Sequence, residues 1–179
     1  GKEAALLGAD RLQRALDRRG FEGRCVDLEQ CRFETGMPGH GLVIPGFGRE
    51  LPVAAFVRGI AGGSLEQVTK RLGILHALRE LGVPVYNDAR AIERSVDKSM
   101  TSFLLQKAAV DSPPSWAVES AAQARRILIR EASAGRSLVL KPMFGSQGKG
   151  LMRVGMVDGE SVPLPDLAVK YCQQFKAVG

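Results

Sequence analysis

Histidine is nearly absent from this chain, and cysteine is scarce. Its two histidines, His40 and His76, stand far apart, and its three cysteines, Cys25, Cys31 and Cys172, show no C-x-x-C spacing. Nothing here has the ligand spacing of a zinc site. An odd number of unpatterned cysteines points to reduced thiols placed by packing, and so to a cytoplasmic protein. Aromatic residues make up only 6% of the chain, too few to offer nucleic-acid bases a stacking platform. Long apolar runs are missing too. The stretch Leu51–Val57 is interrupted by a proline and flanked by charge, so neither a membrane span nor a signal peptide is expected.

What is present is basic charge. Lysine and arginine number 25 against 19 acidic residues, a net charge of +6. The clusters Arg125, Arg126, Arg130 and Arg11, Arg14, Arg18, Arg19 would suit a nucleic-acid partner. Asp17, Glu119 and Glu131 lie among them, however, and the pattern reads better as solvated helix faces. Nucleic acid is therefore not the expected partner. With 45% hydrophobic residues in 179, the chain can build one large core or two small ones.

The most specific segment runs from Ser137 to Gly150. A strand-like Leu138-Val139-Leu140-Lys141 enters a turn in which Gly145, Gly148 and Gly150 fall within six residues. Glycines let backbone N–H groups approach an anion closely, and Lys141 and Lys149 add charge on either side. Leu151–Val157 reads as a second strand, so the glycines join a hairpin. A Walker loop is excluded, because Met143 stands five residues before Gly148 and Gly150 replaces the required Ser or Thr. Alternation along the first strand puts Lys141 on the face opposite Leu138 and Leu140.

A second lysine belongs with it. Asp97-Lys98 opens a stretch in which Met100, Phe103, Leu104 and Ala108 recur at helical spacing. Lys98 thus sits in the first turn of a helix, where a cation opposes the macrodipole at a cost of roughly 0.3–1 kcal/mol.

The rest of the chain alternates strand and helix. The pattern predicts a helix at Leu12, Ala15 and Leu16 closing at Gly20, and strands at Arg24–Leu28, at Leu42–Ile44 and, buried, at Val53–Val57. A long helix follows, with Leu65, Val68, Leu72, Leu75 and Leu78 as its core face. A strand at Val83–Asn87 leads into a second unit of helix Ser99–Ala109, strand Trp116–Val118, helix Ala121–Ser133 and the glycine hairpin. Such alternation implies a layered, mainly parallel α/β sheet in the first part. Gly155–Ala168 reads as a link, with Asp158, Glu160 and Asp166 as loop and surface acids.

The order of asparagine, Asp-Lys, helix, Pro-Ser-Trp, helix, lysine-tipped strand and glycine loop over residues 83–150 resembles the ATP-grasp superfamily. Within it the chain looks most like RimK-type ligases, including those that glutamylate a tetrahydromethanopterin-type cofactor. Tyr171-Cys172-Gln173-Gln174-Phe175 is similar to the hinge strand that carries adenine in these enzymes, and Val57–Gly82 resembles the end of their preceding domain. The resemblance implies an α/β pre-ATP-grasp domain over residues 1–90. The α+β N-terminal subdomain of an ATP-grasp domain would follow over residues 91–179.

It also implies function. ATP would phosphorylate a substrate carboxylate, and an amine, glutamate or another amino acid, would displace the acyl phosphate to form an amide. Lys98 and Lys141 would grip the phosphates. Gly145, Ser146, Gln147, Gly148, Lys149 and Gly150 would form a flap over them, and Gln173, Gln174 and Lys176 would meet the adenine. Magnesium is expected, held by residues of a later subdomain that this sequence does not contain. Arg58, after a predicted strand end, is the candidate for a substrate carboxylate. Its alternative is a local salt bridge. A homo-oligomer is compatible with this reading, and a nucleotide-binding or interaction module without chemistry is the alternative function.

Overall fold

A computed structural model describes residues 2–36, 38–142, 150–163 and 173–178, with backbone alone at 2–7 and 173–178. The chain divides into two compact units, Gly1–Ala91 and Ile92–Gly179.

In the first unit, α1 (Lys2–Asp17) ends where Gly20, at φ +75°, turns the chain. The Phe21 amide donates back to the Leu16 carbonyl at 3.1 Å, satisfying an end the helix cannot. The expected strand at Arg24–Leu28 is absent: the first strand is β1 (Arg32–Phe33), antiparallel to β2 (Leu42–Val43). Side chains take the place of a ladder over residues 24–29. Arg24 donates to the Gly46 carbonyl, and Lys70 Nζ donates to the carbonyls of Leu28 and Glu29 at 3.1 Å each.

β3 (Ala55–Phe56) is shorter than the predicted strand and is not buried. Val53 is 85% exposed and Phe56 55%, and within this stretch only Val57 is in the core. From β3 the chain passes through α2 (Leu65–Glu80) to β4 (Val85–Tyr86), which pairs with β3 in parallel. This is the strand–helix–strand unit that the alternation predicts. α2 starts with a reciprocal cap: Ser64 Oγ accepts from the Gln67 amide, and Gln67 Oε1 accepts from the Ser64 amide. Of its predicted core face, Leu75 and Leu78 are buried and Val68 and Leu72 partly so. Arg71, Ile74, Leu75 and Leu78 are buried, whereas Leu65 stands 79% exposed at the cap. Arg71 is tolerable there because Glu29 lies 2.9 Å from Nη2 and the Ala61 carbonyl accepts from Nη1 at 2.6 Å.

The second unit begins within α3 (Ala89–Val96) and continues through α4 (Lys98–Lys107), β5 (Ser115–Val118) and α5 (Ala121–Ser133). Then come β6 (Ser137–Pro142), β7 (Met152–Val157), β8 (Glu160–Val162) and β9 (Gln173–Val178). Met100 and Phe103 lie on α4 as their helical spacing predicts, and both are exposed. Glu160, read as a loop acid, lies on a strand, because Asp158 and Gly159, both at positive φ, fold β8 back on β7.

The five strands form one antiparallel sheet in the order β5-β9-β6-β7-β8. Leu138, Leu140 and Val154 on one face are buried with Ala124 and Leu128 of α5. This core leaves the other side of β6 to Val139 and Lys141.

Candidate functional site

The chain reverses between β6 and β7 as the glycine pattern predicts, with Leu140 opposite Met152 and Val139 opposite Arg153. Residues Gly145, Ser146, Gln147, Gly148 and Lys149 of the connection lie outside the described residues. Gly150 is described, and it shows why glycine is needed. Its φ is +74°, and a Cβ there would stand 3.1 Å from Pro142 Cγ, so the two ends of the loop close on each other.

Lys141 is the penultimate residue of β6 and is partly buried. Lys98 is the first residue of α4, held by the N-cap Asp97, whose side chain accepts from the amides of Ser99 and Met100. The lysines stand 43 positions apart in sequence, yet the Lys141 charge is felt at Lys98. Burial first, and then repulsion from the Lys141 ammonium, hold Lys98 below its ordinary pKa. The Asp97 carboxyl is also held below its usual range, chiefly by the hydrogen bond from the Ser99 hydroxyl. The signal for this cap, an acid placed just before a helical pattern, is local and readable. Its bond to Ser99 was not among the expectations.

Two partly buried lysines, one of which feels the other's charge, carry an electrostatic cost that a polyanion would relieve. On that observation the donor set fits a phosphate chain. A magnesium ion is a different matter: among the described residues no three His, Cys, Asp or Glu side chains gather as a metal site. The described residues do not fit that ion.

β9 lies between β5 and β6. Gln174 is registered with Ala117 on one side and Lys141 on the other, and Lys176 with Ser115 and Val139. Pairing on both sides commits the backbone groups of Gln173–Lys176 to ladders. Past Lys176 the β5 side ends, because Ser115 is the first residue of that strand.

In the first unit, Arg58 follows the carboxyl end of β3 and is exposed. A Cβ on Gly8 of α1 would stand 2.9 Å from Arg58 Nη2, so the guanidinium rests on a glycine of that helix. Asn87, just after β4, donates from Nδ2 to the Val57 carbonyl at 3.1 Å and fixes the backbone that leads into Arg58.

The backbone aligns with the ATP-grasp ligase PsnB in complex with a minimal precursor at a TM-score of 0.60 and 21% identity, covering 95% of this chain and 58% of that one. The fold is that of the ATP-grasp ligases. A second ATP-grasp structure, the RimK domain protein of Sphaerobacter thermophilus, matches at a TM-score of 0.61 and 19% identity, over 92% of this chain and 57% of that one.

In sequence, 107 residues are 38% identical to the tetrahydromethanopterin:alpha-L-glutamate ligase of Methanosarcina acetivorans, covering 60% of this chain and 31% of that protein. The ligase of the same name from Methanococcus maripaludis is 36% identical over 100 residues, 56% of this chain and 32% of that protein. The chain thus spans about a third of the length of these curated relatives. No family model matches it.

Proposed function

We propose that this chain supplies the phosphate-gripping part of an ATP-dependent ligase that joins a carboxylate to an amine through an acyl phosphate. The observation that carries the reading is the electrostatic coupling of Lys98, at a helix start, to Lys141, at the end of β6 beside the glycine hairpin. Lysines so placed lower the cost of bringing a triphosphate out of water and orient its terminal group.

In this reading residues 1–90 form the pre-ATP-grasp domain and 91–179 the N-terminal subdomain of the ATP-grasp domain. Gly145 to Gly150 cover the phosphates and withdraw for product release. Gln173, Gln174 and Lys176 lie along the adenine, with backbone contacts to the base arising where the β5 ladder stops. Arg58 contacts a carboxylate of the acceptor. Glutamate is the proposed amine, in keeping with the names of the curated relatives. Magnesium would be held by the part of the ligase that lies beyond the overlap with this chain.

The test is a calorimetric titration of ATP into the protein and its Lys141→Ala variant, followed by an amide-formation assay with Mg-ATP and glutamate. Sharply weaker ATP binding by the variant, with an unchanged far-UV spectrum, is expected. Equal affinities would overturn the reading.

A further inference from the structure

We infer that Asp97 is a positioning residue for nucleotide binding, acting through the first turn of α4 and not through its own charge. The inference rests on the phosphate-binding reading above and adds a residue to it.

Asp97 Oδ1 accepts three hydrogen bonds: from the Ser99 amide at 2.9 Å, the Ser99 hydroxyl at 2.5 Å and the Met100 amide at 3.1 Å. Two of the N–H groups that a helix start leaves unpaired are thereby satisfied by one oxygen. The same turn is tied from its other side. Thr101 Oγ1 lies 2.7 Å from the Arg94 carbonyl and 3.0 Å from that of Asp97, and Ser102 Oγ donates to the Lys98 carbonyl at 2.9 Å.

Lys98 sits inside this set of bonds, with its neighbour Asp97 as the cap and Ser99 as the donor that grips it. Its Cα and backbone direction are consequently fixed. An aspartate is a costly choice beside cations meant for an anion, since its charge repels the ligand. Three donors on a single oxygen offset that cost by spreading the charge into the helix end. Asn at this position would cap as well without any charge, and so separates the two roles.

ATP and adenosine are titrated separately into the full-length protein and its Asp97→Ala, Asp97→Gly and Asp97→Asn variants. Alanine should weaken ATP by about three- to ten-fold, the share of an N-cap, and leave adenosine unchanged. Asparagine should bind ATP at least as tightly as the parent. Glycine, which keeps a favourable cap backbone but no acceptor, should weaken ATP measurably but less than alanine, and it carries the comparison if alanine fails to fold.

Parent-like ATP affinity in the alanine and glycine variants would overturn the inference. So would an asparagine variant as weak as alanine, or a parallel loss of ATP and adenosine, which marks a merely structural role. Lys98→Ala keeps the two levels apart: if it weakens ATP while the Asp97 variants do not, the phosphate site stands and only the positioning role falls.

Discussion

Gly150 lies against Pro142 at the mouth of the β6–β7 hairpin, so close that a methyl group there would stand 3.1 Å from the proline Cγ and make the ring give by a few tenths of an ångström. Alanine at 150 would have to keep φ at +74° and push against the proline ring. Left-handed backbone costs an L-residue roughly 1–2 kcal/mol. Gly150→Ala is expected to lower stability in urea by about that amount and to weaken ATP binding further than the loss of stability explains. An unchanged midpoint and ATP affinity would show that the loop ends need not close.

Removing either lysine should affect stability and binding in opposite directions. Lys98 has a depressed pKa in the folded chain, so it destabilises the fold over the pH range where it must remain charged beside Lys141. That penalty is complete at neutral pH and is relieved as pH rises past the depressed value toward that of a free lysine. Lys141→Met is therefore expected to raise the Lys98 pKa, measured by NMR of its ε protons, and to leave the nucleotide-free protein at least as stable as the parent. Its ATP affinity should fall at the same time. Loss of stability together with binding would mean that the pair is held for packing.

Glu131 makes stability rise with pH as well, but in the acid range. It is buried between Arg136, at 2.7 Å, and Arg130, at 2.8 Å. The Arg136 hydrogen bond above all, opposed by burial and aided by Arg130, holds its carboxyl below the ordinary value. The stabilisation is complete above the ordinary carboxylate range, about 4.3, and is lost as pH falls toward the depressed folded value. Glu131→Gln should cost about 1–3 kcal/mol at neutral pH and flatten the acid limb of a urea-midpoint profile. An acid limb identical to the parent's would remove Glu131 from the account.

Arg71 ties two loops of the first unit to α2. Its guanidinium reaches Glu29 and the carbonyls of Ala61 and Gly62. Arg71→Leu should destabilise the unit by about 1–3 kcal/mol, and amide exchange should accelerate over residues 59–63 before it does elsewhere. Uniform acceleration across the unit would show that Arg71 serves the core as a whole.

Local signals in the sequence were sufficient wherever a few neighbouring residues decide the structure. Ala121–Ser133 is helical as its pattern predicts, and Lys98 opens a helix because Asp97 precedes it. The hairpin across the glycines follows from its turn chemistry in the same way. The misses are places where a distant partner decides. Arg24–Leu28 has the composition of a strand but no neighbour to pair with, and side chains from Lys70 and backbone at Gly46 hold it instead. On α2 a buried arginine, invisible to an apolar count, takes a core position beside Leu75 and Leu78. Asp97 was legible as a motif and as a cap, whereas its grip on the Ser99 hydroxyl depends on a rotamer that no periodicity carries.

The strand order has a consequence for synthesis. β9, the central partner of β5 and β6, is the last of the five strands to leave the ribosome. Until it arrives, β5 has no partner and β6 offers a bare edge to any extended chain nearby. The nascent second unit thus passes through an open-sheet stage, with its two longest-range pairings made at the end. Substitutions in Gln173–Val178 would then be felt first as lost yield and aggregation, before any purified protein revealed a change in nucleotide affinity.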